Sequence, residues 1–228
     1  MNKILLIFGA NGELGSGASK VLTQKDYDEI FLFDFKFDKS LSSDKIKQIT
    51  ISDLSDEQNV QTAFNQIPIY KDAEYFLFST IGGFFGGKKI WETSIEEMMK
   101  MLKMNLITNF NIAKRFALLV KEARGGAIIF TSAYTANHPE ENKFVYGVSK
   151  SALSYLVKSL AIEGEAIRLS SMALAPFIID TKANREWMSQ ADFNKWIKPE
   201  EIGELIYDLF ENYKINSGNI IELKLRLV

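Results

Sequence analysis

Ile4-Leu5-Leu6-Ile7-Phe8-Gly9-Ala10-Asn11-Gly12-Glu13-Leu14-Gly15 is the stretch on which the fold turns. Ile4–Phe8 reads as an apolar strand, the glycines follow at GxxGxxG spacing, and Glu13–Gln24 reads as a helix. Taken alone, three glycines describe an ordinary turn. Between a strand and a helix they permit a tight turn and let backbone N–H groups approach a pyrophosphate at the helix N-terminus. Gly9, Asn11, Gly12, Leu14 and Gly15 are therefore candidates for holding a dinucleotide. Asp34 lies 19 residues beyond Gly15, at the end of a second strand, Ile30–Phe33. A carboxylate there accepts hydrogen bonds from an adenosine ribose and repels a 2′-phosphate, which favours NAD(H). Lys36 is close in sequence and offers partial compensation, so NADP(H) stays open. Asp53, after a third strand, is placed to reach an adenine amino group, or equally to serve as a charge at a helix start.

Working outward, strand-length apolar runs alternate with helix-length segments. Ile46–Ile51 is the third strand, and the capping-box sequence Ser55-Asp56-Glu57-Gln58 opens a helix to about Gln66. Tyr75–Phe78 is a fourth strand. A second capping box, Ser94-Ile95-Glu96-Glu97, opens a long helix towards Arg124, with Gly125-Gly126 as the stop. Ala127–Thr131, a helix from Phe144 to Glu163, Ser171–Ala175, a helix starting at Pro199 and ending near Tyr213, and Ile220–Leu225 complete the order. Strands apolar at nearly every position are buried on both faces, as in parallel sheets covered by helices. The alternation predicts right-handed crossovers and one doubly wound α/β domain over residues 1–228, with about seven strands and helices on both faces. Two irregular stretches are long, Ile81–Thr93 and Phe177–Lys198, and each follows the carboxyl end of a strand, where such sheets bind ligands.

Composition excludes several classes. With 27 Lys+Arg against 29 Asp+Glu, the chain has a net charge of −2, and no global basic field speaks for nucleic acid. It has no cysteine and one histidine, His138, so thiolate and multi-histidine metal sites are not expected and no metal is called for. The apolar stretch at the N-terminus is short and breaks at Gly9, so it reads as a first strand and not as a signal peptide. No apolar run reaches the ~18 residues of a membrane span.

Tyr146-Gly147-Val148-Ser149-Lys150 is Y-x-x-x-K. On a helix, positions i and i+4 share a face, and a lysine cation beside a phenol favours the phenolate and lowers its pKa. That makes the tyrosine a usable proton donor or acceptor. In a lysine-rich chain one such pair arises by chance, as an exposed helix pair. Its placement after the fifth strand of a dinucleotide fold makes it informative.

With these pieces in order, the sequence resembles the short-chain dehydrogenase/reductase family over essentially its whole length. The resemblance implies a Rossmann-type fold, Tyr146 and Lys150 as catalytic residues, and Asn105, in Met104-Asn105-Leu106, as the holder of a proton-relay water. Pro176-Phe177-Ile178-Ile179-Asp180-Thr181 is similar to the family's P-G-x-x-x-T, with Phe177 for the glycine and Thr181 on the nicotinamide amide. Ser79-Thr80-Ile81-Gly82 stands where the family has N-N-A-G. The resemblance thus adds Leu54, Thr80, Gly82, Lys150, Pro176 and Thr181 to Asp34 and Asp53 as cofactor contacts. The catalytic serine of the family falls at Ala133, 13 residues before Tyr146. Its neighbour Ser132 points to the other side if the strand alternates regularly.

The departures are similar to the dihydropteridine reductase branch of that family. They are Gly82-Gly83-Phe84-Phe85-Gly86-Gly87, alanine at 133, Asp180-Thr181-Lys182-Ala183-Asn184-Arg185, Ala191-Asp192-Phe193-Asn194-Lys195-Trp196 and Ser217-Gly218. Asn105 departs from the branch. What this implies is a reductase passing hydride from NADH, with NADPH possible, to a quinonoid dihydropteridine. Tyr146 would be the proton donor, Phe84 would stack on the substrate, Ala133 and Tyr146 would line it, and 177–198 would form a lid. The resemblance also implies a homodimer or homotetramer built on the helices near 95–123 and 144–163, while the lack of cysteine fits a reducing cytoplasm and charge and hydropathy speak against nucleic-acid and membrane partners. A broader carbonyl or alcohol dehydrogenase and a non-catalytic dinucleotide-sensing regulator are the competing readings. His138, in the loop after the fifth strand, reads as structural more readily than as a substrate contact.

Overall fold

A computed structural model describes residues 2–38, 40–41 and 43–227. Seven parallel strands form one sheet in the order β3-β2-β1-β4-β5-β6-β7. They are β1 (Lys3–Phe8), β2 (Glu29–Asp34), β3 (Ile46–Thr50), β4 (Glu74–Ser79), β5 (Gly125–Thr131), β6 (Leu169–Pro176) and β7 (Ile220–Leu223). The helices are α1 (Glu13–Leu22), α2 (Glu57–Phe64), α3 (Ile95–Leu102), α4 (Thr108–Lys121), α5 (Phe144–Gly164), α6 (Lys182–Trp187), α7 (Pro199–Glu211) and α8 (Tyr213–Asn216).

The two-residue period of the strands divides the core. Leu6 and Phe8 of β1, Phe31 and Phe33 of β2 and Leu77 of β4 pack with Val60 of α2, Phe116 of α4 and Leu153 and Val157 of α5. The intervening Leu5, Ile7, Leu32, Phe76 and Phe78 face Ala18 and Leu22 of α1 and Ile206 and Phe210 of α7. A one-residue slip of any strand would exchange these faces, so packing sets the register. Phe8 stands opposite both Phe33 and Ser79, which brings the carboxyl ends of β1, β2 and β4 together. Strand order reverses between β1 and β4, and the crevice at that switch point is where such sheets bind ligands.

Four local expectations change. The cap of α2 is Asp56, whose carboxylate accepts from the Gln58 N–H, while Ser55 turns back to Asp53. Gly125 and Gly126 lie inside β5, because a Cβ on Gly126 would sit 2.1 Å from the Tyr75 carbonyl oxygen of the adjacent strand. The long helix from Ser94 is broken into α3 and α4 by a π-helical turn over Lys103–Ile107. The two long connections are not bare loops: one carries a short 3₁₀ turn at Ile90–Glu92 and the other carries α6 and a turn at Phe193–Lys195. Among the described residues, no helix is long and apolar enough to cross a membrane.

Candidate active site

The glycine loop leaves β1 at Gly9, whose φ of +81° is a conformation that side chains disfavour. The Gly9 and Ala10 N–H groups donate to the Phe33 carbonyl, which ties the loop to β2. A Cβ on Gly15 would lie 1.9 Å from the Gly9 carbonyl oxygen, so α1 starts hard against the turn. No side chain caps α1 at Gly12, leaving its first amides open to an anion. Leu14 is half-buried and packs on the core beneath this helix start.

Asp34 accepts from the Asn11 N–H at 2.8 Å and from the Phe35 N–H at 2.7 Å. Thr80 Oγ1 donates to the Phe8 and Gly9 carbonyls. Gly9, Gly12, Asp34, Asp53, Leu54, Thr80 and Gly82 all line one cavity of about 540 Å³, closed below by Met104 and Thr108. Asp53 also accepts from the Ser55 hydroxyl and N–H and pairs with Lys103 at 3.3 Å. Those bonds, the Ser55 hydroxyl first, hold its carboxyl below the usual range. Lys36 pairs with Asp38 at 3.6 Å, and Asp38 also accepts from the Asn11 side chain. Asp38 is thus a second carboxylate beside the loop that no motif spacing identified.

The structure brings Tyr146 and Lys150 to the same end of the sheet. Lys150 is buried, with its ammonium donating to the Thr131 carbonyl at 2.7 Å and 6.0 Å from the Tyr146 ring centre. A Cβ on Gly82 would lie 2.9 Å from that ammonium, so glycine keeps the space before it open. Desolvation lowers the Lys150 pKa to about 8. The Tyr146 phenol differs from the expectation: burial, followed by the Glu140 carboxylate, pushes it up to about 12. Glu140, another residue the sequence did not flag, is held by Thr135 and by Lys143 at 2.6 Å.

Asn105 is fully buried in the π-helical turn. Its side chain accepts from the Gly83 N–H at 2.9 Å and donates to the Gly83 carbonyl and the Ser149 hydroxyl. The side chain is therefore occupied in joining the glycine-rich loop to α5. Ala133 is buried at the end of β5. Ser132 shares a hydrogen bond of 2.8 Å with Ser154 and donates to the Lys150 carbonyl, so it faces into α5.

Phe84 meets Tyr146 edge to face at 5.0 Å and touches Trp187 of α6 at 5.7 Å. Trp187 lies on the 177–198 stretch expected to form a lid, and its ring stands beside Phe84. Pro176 ends β6 next to this site, and Thr181 caps α6 by accepting from the Asn184 N–H. Phe177 turns to Tyr134, which stacks on His138 at 3.8 Å. His138 in turn bonds Glu222 at 2.9 Å, a structural role. Among the described residues no cluster of three potential metal ligands occurs.

The residues fit a dinucleotide on three grounds: an uncapped helix start behind Gly9, a carboxylate at the β2 end, and a buried cation facing the open side of Gly82. Comparison with known proteins agrees with this geometry. A family model described as enoyl-(acyl carrier protein) reductase matches residues 22–213. A dihydropteridine reductase of Dictyostelium discoideum is 27% identical over 93% of this chain and 89% of its own. Carbonyl reductase family member 4 of Xenopus tropicalis is 24% identical over 97% and 96%. The solved structure of ElxO with NADP bound superposes with a TM-score of 0.86 at 20% identity, covering 98% of both chains. The ligand-free aldohexose dehydrogenase of Thermoplasma acidophilum gives 0.82 at 19%, covering 98% and 92%.

Proposed function

The chain belongs to the short-chain dehydrogenase/reductase family and is an NAD(P)-dependent oxidoreductase; from that premise we propose that it reduces a quinonoid dihydropteridine-type ring, with NADH as preferred reductant and Tyr146 as proton donor. The observation that carries this reading is the Phe84–Tyr146 pair, together with a buried alanine at 133. An aromatic wall stands against the proton donor, and no hydroxyl is present at 133 to hold a carbonyl oxygen. The similarity to the Dictyostelium discoideum dihydropteridine reductase supports the same substrate class.

NADH, when bound, supplies one hydrogen with two electrons to the ring. Gly9, Gly12 and the start of α1 would hold its pyrophosphate, Asp34 its adenosine ribose, Leu54 and Asp53 the adenine side, and Thr181 and Pro176 the nicotinamide side. Lys150 would hold the second ribose through the open side of Gly82. Tyr146 donates its phenolic proton to a ring nitrogen, which completes the two-hydrogen reduction, and the neighbouring Lys150 charge stabilises the phenolate until solvent returns the proton. A phenol whose pKa is about 12 is fully protonated at neutral pH, which suits an acid in the reductive direction.

Residues 177–198 act as the lid in this reading. Exposed Ile95, Met99, Ile107, Phe110 and Leu118, with Tyr155 and Ile162 of α5, support a homo-oligomer formed on these helices. Steady-state assays with NADH on a quinonoid dihydropteridine and on a carbonyl panel test the proposal. Turnover of the pteridine is expected. Turnover of carbonyls alone would favour a broader carbonyl reductase, and no turnover with tight NADH binding would favour a regulator.

A further inference from the structure

Trp187 closes α6, the short helix of the lid, and its indole is 61% exposed. α6 is firmly held along its length, its last turn included. Thr181 caps it, Arg185 bonds Asp180 through two nitrogens, and Asn184 donates to the Ile179 carbonyl. The indole therefore projects from an anchored helix. What it meets is the substrate wall: its ring centre is 5.7 Å from that of Phe84, which is 5.0 Å from Tyr146. Lys143, one helical turn before Tyr146, sets its ammonium 5.6 Å from the indole centre and is itself fixed by Glu140.

We infer that Trp187 is a substrate-binding residue, which forms with Phe84 a two-sided aromatic clamp for a flat heteroaromatic ring while Lys143 holds the indole in place. The inference rests on the reductase reading above and adds the residue that selects for planarity. The two rings are tilted by 47° and touch each other, so the clamp is closed on itself. A flat ring between two parallel faces needs them about 7 Å apart, two van der Waals contacts of ~3.5 Å. From 5.7 Å the indole has to retreat by a little over 1 Å and turn, a small motion for a largely exposed side chain. A saturated or branched acceptor gains nothing from this arrangement, because the stacking preference belongs to π faces. Cation–π attraction from Lys143 keeps the indole over the opening when the lid moves.

The test compares Trp187→Ala and Trp187→Phe with the wild type. Measurements are KM for a quinonoid dihydropteridine, for a flat naphthoquinone and for a saturated cyclic ketone, NADH affinity, and quenching of tryptophan fluorescence by an oxidised pterin that cannot turn over. Trp187→Ala is expected to raise KM for the flat acceptors about tenfold and to lose most of the quenching. Its NADH affinity should stay within twofold and the ketone KM should not change. Trp187→Phe should restore flat-acceptor KM to within about threefold. Unchanged flat-acceptor KM in Trp187→Ala, or an equal rise for the ketone, would overturn the clamp. If wild type accepts the naphthoquinone and no pteridine, the substrate reading falls, and the naphthoquinone KM still decides the clamp by the same criteria.

Discussion

The backbone N–H of Asn11 donates to Asp34 Oδ2 at 2.8 Å, so one carboxylate both fixes the glycine loop and lines the cavity that runs from Gly9 to Gly82. A 2′-phosphate brought against it meets a like charge at a cost of about 1–3 kcal/mol at a partly exposed site. The exposed Lys36 ammonium lies 3.6 Å from Asp38, a second carboxylate on this side of the loop. The ratio of kcat/KM for NADH over NADPH is expected to exceed ten. Asp34→Ser should reduce that ratio at least tenfold and weaken NADH itself, since the loop loses its tie. Coenzyme titrations of both proteins check this, and an unchanged ratio would remove Asp34 as the selector.

The pH profile follows from two opposite shifts. Tyr146 is raised to about 12, so its phenol stays protonated through the neutral range. Lys150 is lowered to about 8, so its charge is lost first as pH rises. Reductive kcat should therefore be level near neutrality and fall along a limb centred near pH 8. Lys150→Arg, whose charge does not titrate, should remove that limb.

Lys150 also bears on stability. Its folded pKa of about 8 lies below the ordinary 10.5, so below about pH 8 the folded protein carries this buried charge at a cost. Between those values the unfolded chain binds more protons and stability rises with pH. Lys150→Met should raise Tm at pH 7 by about 2–5 °C, taking roughly 2–4 °C per kcal/mol at this size. The gain should shrink above pH 10. Calorimetry at the two pH values measures it directly.

Ser132 provides a control for the missing serine. Its hydroxyl is buried and bonded to Ser154, so Ser132→Ala should cost about 1 kcal/mol of stability and leave kcat within twofold. A loss of kcat beyond tenfold with unchanged KM would make Ser132 part of the chemistry.

Much of the fold was legible because its signals are local. The apolar runs of β1, β2, β4, β5 and β6 announce buried parallel strands, and Ser94 and Pro199 announce helix starts that the structure keeps. The GxxGxxG loop, Asp34 and the Tyr146–Lys150 pair are likewise short-range patterns. The remainder depends on contacts between distant segments. Phe84, Tyr146 and Trp187 come from a loop, α5 and the lid, and no spacing rule joins them. Asp38 meets Asn11 only because β1 and β2 are neighbours, and Glu140 acts on Tyr146 through the turn before α5. The raised phenol pKa shows the limit of the Y-x-x-x-K pattern: spacing puts Lys150 on the right face, while burial and Glu140 decide the protonation state. The π-helical turn at Asn105 leaves no composition signal, and it alters what that side chain reaches.

Tyr146 is proposed to give the proton in an NADH-dependent reduction. The direct measurement is kcat of Tyr146→Phe on a quinonoid dihydropteridine, alongside NADH binding by fluorescence titration. General acid catalysis is worth about 10²–10⁴-fold, and a reactive quinonoid ring takes some protons from water, so a fall of about 10²-fold is expected with NADH affinity unchanged within twofold. Wild-type turnover in Tyr146→Phe, with NADH bound as tightly as before, would remove Tyr146 as the proton donor.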